Sequence, residues 1–345
     1  MEGEWVVTTI GEVTDLLTGF PFKSDRYVDD ASAPRLLRGD NIAQGVLRWN
    51  GVKRWPKNEI QELGVYALRE GDIVLAMDRP WIEAGLKYAA IRESDLPSFL
   101  VQRVARLRGK NGLENRFLKY VIGSSSFTNH VLSVQTGTAV PHISGNQIKA
   151  FQFLLPPIEE QRAIAYILGT LDDKIELNRK MNHTLEDIAH ALFKSWFVDN
   201  TEKILFGNLV RPKKGKNITK SNAIEGEFPV VAGGIEPSCY HNEPNTKAPV
   251  VTISASGANA GFIKLYHTPV WSSDSSFIDE SITPYVYFSY VFLKINQKQL
   301  FEKQEGSAQP HIYPSHIMEL KMAATPQHLI KKYESTVSPY FKKSN

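Results

Sequence analysis

The chain has 345 residues, of which 42% are hydrophobic and 22% charged, with a formal net charge of +3. This balance excludes an intrinsically disordered chain, and the length predicts two domains with separate cores. The small positive charge alone does not identify a nucleic-acid-binding protein.

The only cysteine is Cys239. One cysteine can form neither an internal disulfide nor a cysteine-rich zinc site, which favours a reducing compartment. The N-terminal residues lack a basic segment followed by an apolar run, and no stretch approaches the roughly 18 apolar residues that span a bilayer. The sequence therefore predicts a cytoplasmic protein without membrane contact.

Short apolar runs bounded by Gly, Pro and Asp predict strands at residues 6–17, 72–77, 86–91 and 101–107. Residues 115–124 and 285–299 have the composition of helices. This mixture predicts an α+β fold with many loops.

An internal repeat divides the chain. Residues 136–157, TGTAVPHISGNQIKAFQFLLPP, align without gaps to residues 305–326, EGSAQPHIYPSHIMELKMAATP, and seven of the 22 positions are identical. Upstream, residues 72–91 resemble residues 249–267, each an apolar run, a polar turn and an Ala-Gly pair before a second apolar run. In this alignment Ser254 is the counterpart of Asp78. The pattern predicts a tandem duplication of a domain of roughly 150 residues.

Residues 158–199, between the two copies, contain no proline and a single glycine. Apolar residues recur at alternating steps of three and four, a heptad pattern that two asparagines complete. The predicted seam consists of Ile164, Leu168, Leu171, Ile175, Asn178, Asn182, Leu185, Ala189, Leu192 and Trp196. About 40 helical residues would extend roughly 60 Å. The alternative, a helix buried in one globular core, fits the central asparagines less well.

The junction LPPIEEQRAIAYILGTLDDKIELNRK, residues 155–180, resembles the central region of Type I restriction–modification specificity subunits. That family has a proline pair, Glu-Gln, a small and aliphatic turn and then Leu-Asp-X-Lys-Ile. ALFKSWFVD, residues 191–199, resembles the end of the same helix. Together with the duplication, the resemblance covers nearly the whole chain.

The resemblance implies two target-recognition domains, at residues 1–156 and 200–325, each of which reads one half of a bipartite DNA site. A coiled-coil spacer at 157–199 would set the gap between the half-sites. Only a short helical segment, residues 326–345, follows the second domain, where the family has a longer helical region. Leu329, Ile330, Tyr333 and Val337 predict a helix of about three turns, interrupted by Pro339. We therefore expect a second chain to cover the apolar seam: another copy, a separate fragment or the methyltransferase subunits.

The family resemblance also implies partners. They are double-stranded DNA, two methyltransferase subunits that use S-adenosylmethionine, and restriction subunits that use ATP and magnesium. No cofactor is expected on this chain, and we found no P-loop, aminomethyltransferase motif or His-Glu-x-x-His motif in its sequence. The chain is thus predicted to be non-catalytic. The alternatives are a recognition subunit of a related methylation or phage-defence system, a structural adaptor, and an autonomous methyltransferase or nuclease.

Specificity requires side chains that reach base edges, whereas Lys and Arg mainly bind phosphates. The candidates lie in predicted turns, basic runs and the repeated Pro-His-Ile motif, although such residues are also common as solvated surface groups or structural turns. They are Arg35, Arg38, Lys53, Arg54, Arg79, Trp81, Thr138 and His142 in the first domain, and Arg211, Lys213, Lys214, Lys216, Ser254, Ser256, Asn259, Ser307, Gln309 and His311 in the second.

Overall fold

The structure is a computed structural model that describes residues 4–137, 139–197, 202–306 and 309–342. The chain divides into two compact units, unit 1 at Met1–Asp173 and unit 2 at Lys174–Asn345. The boundary falls within one long helix, so each unit contains part of it.

The elements of unit 1 combine short strands and short helices. The strands are β1 (Val6–Thr9), β2 (Thr14–Thr18), β3 (Arg35–Leu37), β4 (Gln44–Gly45), β5 (Ile73–Ala76), β6 (Trp81–Ile82), β7 (Gly85–Leu86), β8 (Tyr88–Ala90), β9 (Ser98–Leu100), β10 (Val104–Gly109) and β11 (Gln152–Leu155). The helices are α1 (Ile10–Val13), α2 (Asn115–Ile122), α3 (Ser125–Val134) and α4 (Gly145–Lys149).

A five-stranded sheet with the order β2-β10-β5-β8-β4 forms the centre of unit 1. Because side chains alternate along a strand, its two faces belong to different cores. Ile73 and Leu75 lie in the core that includes α2 and α3, whereas Val74 and Ala76 lie in the core on the other face. Burial on both faces explains why β5 is uniformly apolar.

The long helix α5 (Ile158–Phe197) is continuous over 40 residues, as predicted. The elements of unit 2 are the strands β12 (Lys203–Leu205), β13 (Lys213–Lys214), β14 (Phe228–Val231), β15 (Cys239–His241), β16 (Val250–Ser254), β17 (Ile263–Tyr266), β18 (Trp271–Ser272), β19 (Ser275–Asp279) and β20 (Lys321–Ala323), and the helices α6 (Val286–Ile295), α7 (Gln297–Glu302), α8 (Pro314–Met318) and α9 (Gln327–Lys342). A short 3₁₀ helix, Phe206–Asn208, follows β12.

The predicted duplication is confirmed by the topology. The sheet of unit 2 has the order β13-β19-β16-β17, which matches β2-β10-β5-β8 of unit 1. The antiparallel pair β1–β11 corresponds to β12–β20, and the parallel pair β3–β9 corresponds to β14–β18. The α+β assignment and the two-copy organisation are therefore both correct.

Main-chain hydrogen bonds refine the register of the repeat. Ile143 donates its N–H to Met77 O at 2.9 Å, and Ile312 donates to Ala255 O at the same distance. Asp78 is then bridged to His142, as Ser256 is to His311. Ser256, and not Ser254, is thus the counterpart of Asp78. The turns that follow β5 and β16 differ in length, so an alignment based on the two Ala-Gly pairs shifts the register of the preceding strands.

Two element predictions were wrong in detail. Residues 6–17 do not form one strand, because Thr9 and Glu12 form a capping box that starts α1 between β1 and β2. Residues 285–299 do not form one helix either, since α6 ends at Ile295 and α7 begins at Gln297.

The beginning of α5 is attached to unit 1 through Gln161, which is 1% exposed. Its side-chain amide donates to the carbonyls of Gly112 and Pro156 at 2.9 and 2.8 Å, and its carbonyl accepts the N–H of Glu114 at 3.0 Å. Further along, Asp172 accepts hydrogen bonds from Lys119 and Tyr120. The Glu-Gln of the junction sequence therefore has a structural role in orienting the helix start.

The end of α5 packs into the core of unit 2. Phe193 and Phe197 lie against Tyr333 of α9, with ring centroids 5.5 and 5.3 Å apart, and the Tyr333 hydroxyl donates to Ala189 O at 2.8 Å. Helix α9 continues through Pro339 to Lys342, so the predicted interruption was wrong. Pro339 removes a single hydrogen bond near the end of the helix, and buried Phe341 holds the last turn in place.

Helix α9 is also joined to α6 through Glu334. Its carboxylate accepts the backbone N–H groups of Tyr287 and Phe288 at 3.0 and 2.7 Å, in the first turn of α6. Burial raises the pKa of Glu334 to about 7, although the backbone hydrogen bonds oppose this shift.

We expect Gln161→Ala to lower the free energy of unfolding of unit 1 by about 2–4 kcal/mol, because three hydrogen bonds are lost and buried main-chain groups are left unpaired. Chemical denaturation of the full chain measures this change. The control is Gln152→Ala, at an exposed position of β11, which should change it by less than about 0.5 kcal/mol. Equal effects of the two substitutions would contradict the role of Gln161.

We also expect a pH dependence from Glu334. Its pKa in the folded state, about 7, exceeds the ordinary value of 4.5, so the folded protein binds this proton more tightly. The contribution to stability is complete below pH 4.5 and is lost as the pH rises through 7, by up to about 3 kcal/mol. Denaturation between pH 5 and 8 should show a flatter profile for Glu334→Gln than for the unsubstituted chain, and parallel profiles would contradict the assignment.

Candidate nucleic-acid interface

A polar cleft of about 550 Å³ opens where several turns of unit 1 meet. Arg38 follows β3, Arg79 follows β5, Lys87 lies between β7 and β8, and Arg103 precedes β10. The cleft also contains Asp40 and Asp78, so it combines donors and acceptors and is not uniformly basic. Such a surface can distinguish ligands by hydrogen-bonding pattern as well as by charge.

Asp78 links Arg103, in the wall of the cleft, to His142 of the repeated Pro-His-Ile turn. Its carboxylate accepts hydrogen bonds from the Arg103 guanidinium and, at 2.6 Å, from Nδ1 of His142. Burial raises the pKa of Asp78, but the bonds from Arg103 and His142 outweigh it, and the net shift is downward. The ionised carboxylate therefore orients a cation that is 65% exposed.

Two arginines of the cleft have left-handed backbone conformations. The φ angles of Arg79 and Arg103 are +44° and +64°. Residues with a Cβ adopt this region at a cost, and such strain occurs mainly where a side chain must be aimed. Arg79 N donates to Pro141 O at 2.7 Å, which fixes its turn against the repeated Pro-His-Ile segment.

Lys87 is half-buried on the cleft floor. Burial lowers the pKa of its amine, and the nearby carboxylate of Asp40 partly offsets this effect. Arg38 donates to Asp40 at 2.8 Å. The carboxylate of Asp40 thus interacts with both Arg38 and Lys87 on this side of the cleft.

The corresponding junction of unit 2 carries different side chains on the same backbone. Ser256 donates its hydroxyl to Asp274, and the ring of His311 stacks on that of Tyr313 with centroids 6.0 Å apart. Ser254 is 3% exposed and donates to Gly233 O at 2.9 Å, so its hydroxyl points inward. Asn259 is half-buried and Gln309 is exposed.

The basic run of unit 2 lies beside this junction. Lys213 and Lys214 form β13, which pairs with Phe277 and Ser276 of β19. The next residue, Gly215, lies so close to the carbonyls of Ser272 and Ser273 that a side chain has no space there. The side chains in the run are exposed: Arg211, Lys213, Lys214 and Lys216.

The remaining candidates of unit 1 differ in their surroundings. Arg35 donates to Ser94 O at 2.8 Å and lies over the Trp49 ring, and Arg54 donates to Ala33 O. Lys53 is exposed, and Trp81 is 38% exposed on β6. Thr138 and Ser307 lie outside the described residues. Arg38 and Arg79 line the cleft and His142 bonds to Asp78 beside them, whereas Arg35 and Arg54 support their own loop.

Sequence reasoning missed Lys87, Gln102, Arg103 and Asp274. Nothing in the local sequence distinguishes Arg103 from other surface arginines, because its position depends on the pairing of β10 with β5. Once the strands are aligned, the turn before β10 and the turn before β19 become recognisable as equivalent positions.

Among the residues that the structure describes, the predicted seam of α5 is best covered towards its two ends. Ile164 packs on the core of unit 1, and Leu192 and Trp196 pack on the core of unit 2. Leu168, Asn182 and Leu185 are half-buried, while Asn178 is exposed. In the central part of the helix, Leu171 and Ile175 are 52% and 50% exposed.

The described residues lack features of two other classes of protein, those that span a membrane and those that bind a metal ion. None of the helices there combines the length and apolar character that crossing a bilayer requires. Across the same residues, no three His, Cys, Asp or Glu side chains converge in a way that would hold a metal ion. His241, near Cys239, accepts the N–H of Ile224 at 3.0 Å and contacts Trp271 edge-on.

The chain matches the model of the Type I restriction modification DNA specificity domain over residues 2–187. Because this match includes more than half of the chain, the chain belongs to that family. The members of this family are specificity subunits. The resemblance predicted from the sequence of the central junction is therefore confirmed.

Individual relatives agree with this assignment. The chain is 38% identical over 186 residues to the Type I restriction enzyme EcoAI specificity subunit of Escherichia coli, a match to 53% of this chain and 30% of that protein. It is 31% identical over 184 residues to the MjaVIII specificity subunit of Methanocaldococcus jannaschii, covering 53% and 43%. It thus matches less than half the length of both. The MjaIX specificity subunit of the same organism is 23% identical over 85% of this chain and 76% of its own length.

A solved structure shows the same fold. The Type I restriction–modification system S subunit from M. genitalium superposes with a TM-score of 0.62, at 20% identity, over 99% of this chain and 90% of its own. This similarity extends the fold assignment to unit 2, which the family model does not reach beyond residue 187.

Proposed function

We propose that this chain is the sequence-specific DNA-binding subunit of a Type I restriction–modification enzyme. The domains at residues 1–156 and 200–325 each read one half of a bipartite site, and the helical segment between them sets the gap between the halves. The observation that carries the proposal is the repeated junction, in which one backbone arrangement presents Asp78, Arg103 and His142 in unit 1 but Ser256, Asp274 and His311 in unit 2. Two modules of one fold that bind different sequences are expected to share the backbone and to differ in the side chains that reach the bases.

Catalysis is assigned to partners in this proposal. Two methyltransferase subunits supply methyl transfer from S-adenosylmethionine, and restriction subunits supply ATP-driven, magnesium-dependent cleavage. The present chain contributes recognition, and no cofactor site is assigned to it. A related methylation or phage-defence complex without a translocating nuclease would need the same recognition chain, whereas a structural adaptor would not bind DNA.

Phosphate contacts are assigned to the basic run of unit 2. Lys213 and Lys214 are exposed beside the junction that carries Asp274. Lysines at a duplex backbone bind without regard to sequence and release condensed counterions. Their contribution should therefore appear as salt dependence and not as base preference.

We also propose that another polypeptide covers the middle of α5, in the simplest case a second copy of this chain. The support is the exposure of Leu171 and Ile175 on a seam with heptad spacing. In the described residues of unit 2, α9 packs against the last part of α5, where Tyr333 reaches Ala189.

We expect Lys213→Gln combined with Lys214→Gln to weaken binding of the full chain to all duplexes alike. Each lost phosphate contact should reduce the slope of log K against log salt concentration by about 0.9. Fluorescence anisotropy on a duplex panel between 50 and 200 mM salt measures this slope. The control, Lys331→Gln combined with Lys342→Gln, makes the same charge change at exposed positions of α9. An unsubstituted chain without salt-dependent affinity would contradict DNA binding and support an adaptor.

We expect light scattering of the full chain to show a dimer, because a pair of copies buries both seams. Leu171→Glu combined with Ile175→Glu should convert it to a monomer with unchanged circular dichroism. The control Lys180→Glu makes the same change in charge at an exposed residue on the face opposite the seam and should remain dimeric. A stable, well-folded monomer before any substitution would contradict self-pairing.

A further inference from the structure

We infer that residues 103 and 274 are the same base-reading position in the two units. Arg103 selects guanine in one half-site, and Asp274 selects a base with an exocyclic amino group in the other. The inference rests on the proposed function and adds the chemistry of one position in each half-site. Neither residue stands out in the sequence.

The equivalence follows from the main chain. Met77 N donates to Arg103 O at 2.9 Å, and Ala255 N donates to Asp274 O at 3.1 Å. On the following residue pair, Val104 faces Ala76 in unit 1 and Ser275 faces Ser254 in unit 2. Residues 103 and 274 thus occupy the same turn, at the start of the same strand of the repeated sheet.

Arg103 has the geometry of a reading residue. Its backbone has a φ of +64°, and its side chain is 65% exposed in the wall of the cleft. One terminal nitrogen, Nη1, is held by Asp78, which His142 holds in turn. A guanidinium fixed on one edge retains donors on its other edge, and paired donors match O6 and N7 of guanine.

Asp274 offers the opposite chemistry at the same place. Its carboxylate is half-buried and accepts the hydroxyl of Ser256, which is 8% exposed and therefore well fixed. An ionised carboxylate accepts several hydrogen bonds and donates none. In the major groove it pairs with amino groups, such as N4 of cytosine or N6 of adenine.

A purely structural role explains these residues less well. In the Arg103–Asp78 ion pair the arginine is 65% exposed and the aspartate 26%, and a pair with so solvated a partner contributes little to stability. Unit 2 forms the same turn with Ser256 and Asp274 in their place, so the turn does not depend on the ion pair. Folding of the turn does not explain why the side chains at the two junctions differ. Recognition of different DNA sequences by the two units would explain it.

The test is selection of bound duplexes from a random library by the full chain, followed by sequencing. For Arg103→Ala, we expect one G·C position in one half-site to lose its preference, from about 5- to 150-fold to below about 3-fold. The other half-site should be unchanged. Arg103→Lys retains the charge without paired donors and should give an intermediate loss. Asp274→Asn, nearly isosteric, should alter the preference at one position of the other half-site only.

The control is Arg162→Ala, which removes an exposed arginine of α5 that pairs with Glu159 and Glu114 and should leave both half-sites unchanged. A motif that is identical for the unsubstituted chain and for every Arg103 and Asp274 variant would overturn this inference but not the proposed function. If the unsubstituted chain selects no motif, the proposed function itself fails. Circular dichroism of each variant separates loss of folding from loss of preference, and Arg103→Lys keeps the test decisive if Arg103→Ala does not fold.

Discussion

In each unit, the turn that contains Pro-His-Ile is hydrogen-bonded to the end of a central strand. Ile143 bonds to Met77 and Ile312 bonds to Ala255, both through the main chain and both at 2.9 Å. The isoleucine side chains are 0% and 1% exposed, so apolar contacts also stabilise the position of the turn. The main chain and the core thus hold the turn in the same way in both units, although the side chains at the junction differ. The proposed recognition surfaces of this chain depend on this combination of a fixed main chain and variable side chains.

The sequence revealed the duplication and the long helix because both have strong periodic signals. The repeated Pro-His-Ile segment spans a continuous stretch, and the heptad pattern extends over 40 helical residues. Short elements were harder. Thr9 and Glu12 nucleate one helical turn within what looked like a strand, and a capping box of this kind is easily missed inside an apolar run.

The candidate site could be predicted only in part, for a physical reason. Arg79 and His142 were found because they belong to turns with recognisable sequences. Arg103 and Asp274 were not found, since only strand pairing places them beside those turns. Arg35 and Arg54 look like DNA ligands in the sequence, yet their guanidinium groups bond to carbonyl oxygens of their own unit. Composition identifies charge, but the use of that charge depends on contacts between distant residues.

The glycine at position 215 has a wider implication. Carbonyl oxygens of Ser272 and Ser273 lie 2.5 and 2.4 Å from where its Cβ would be, and Gly19 of unit 1 is crowded in the same way by Val101 O at 2.2 Å. A side chain at this position would collide with the main chain in both halves of the molecule. The interior of each half is therefore constrained in the same way at this position, although the side chains exposed at the two junctions differ.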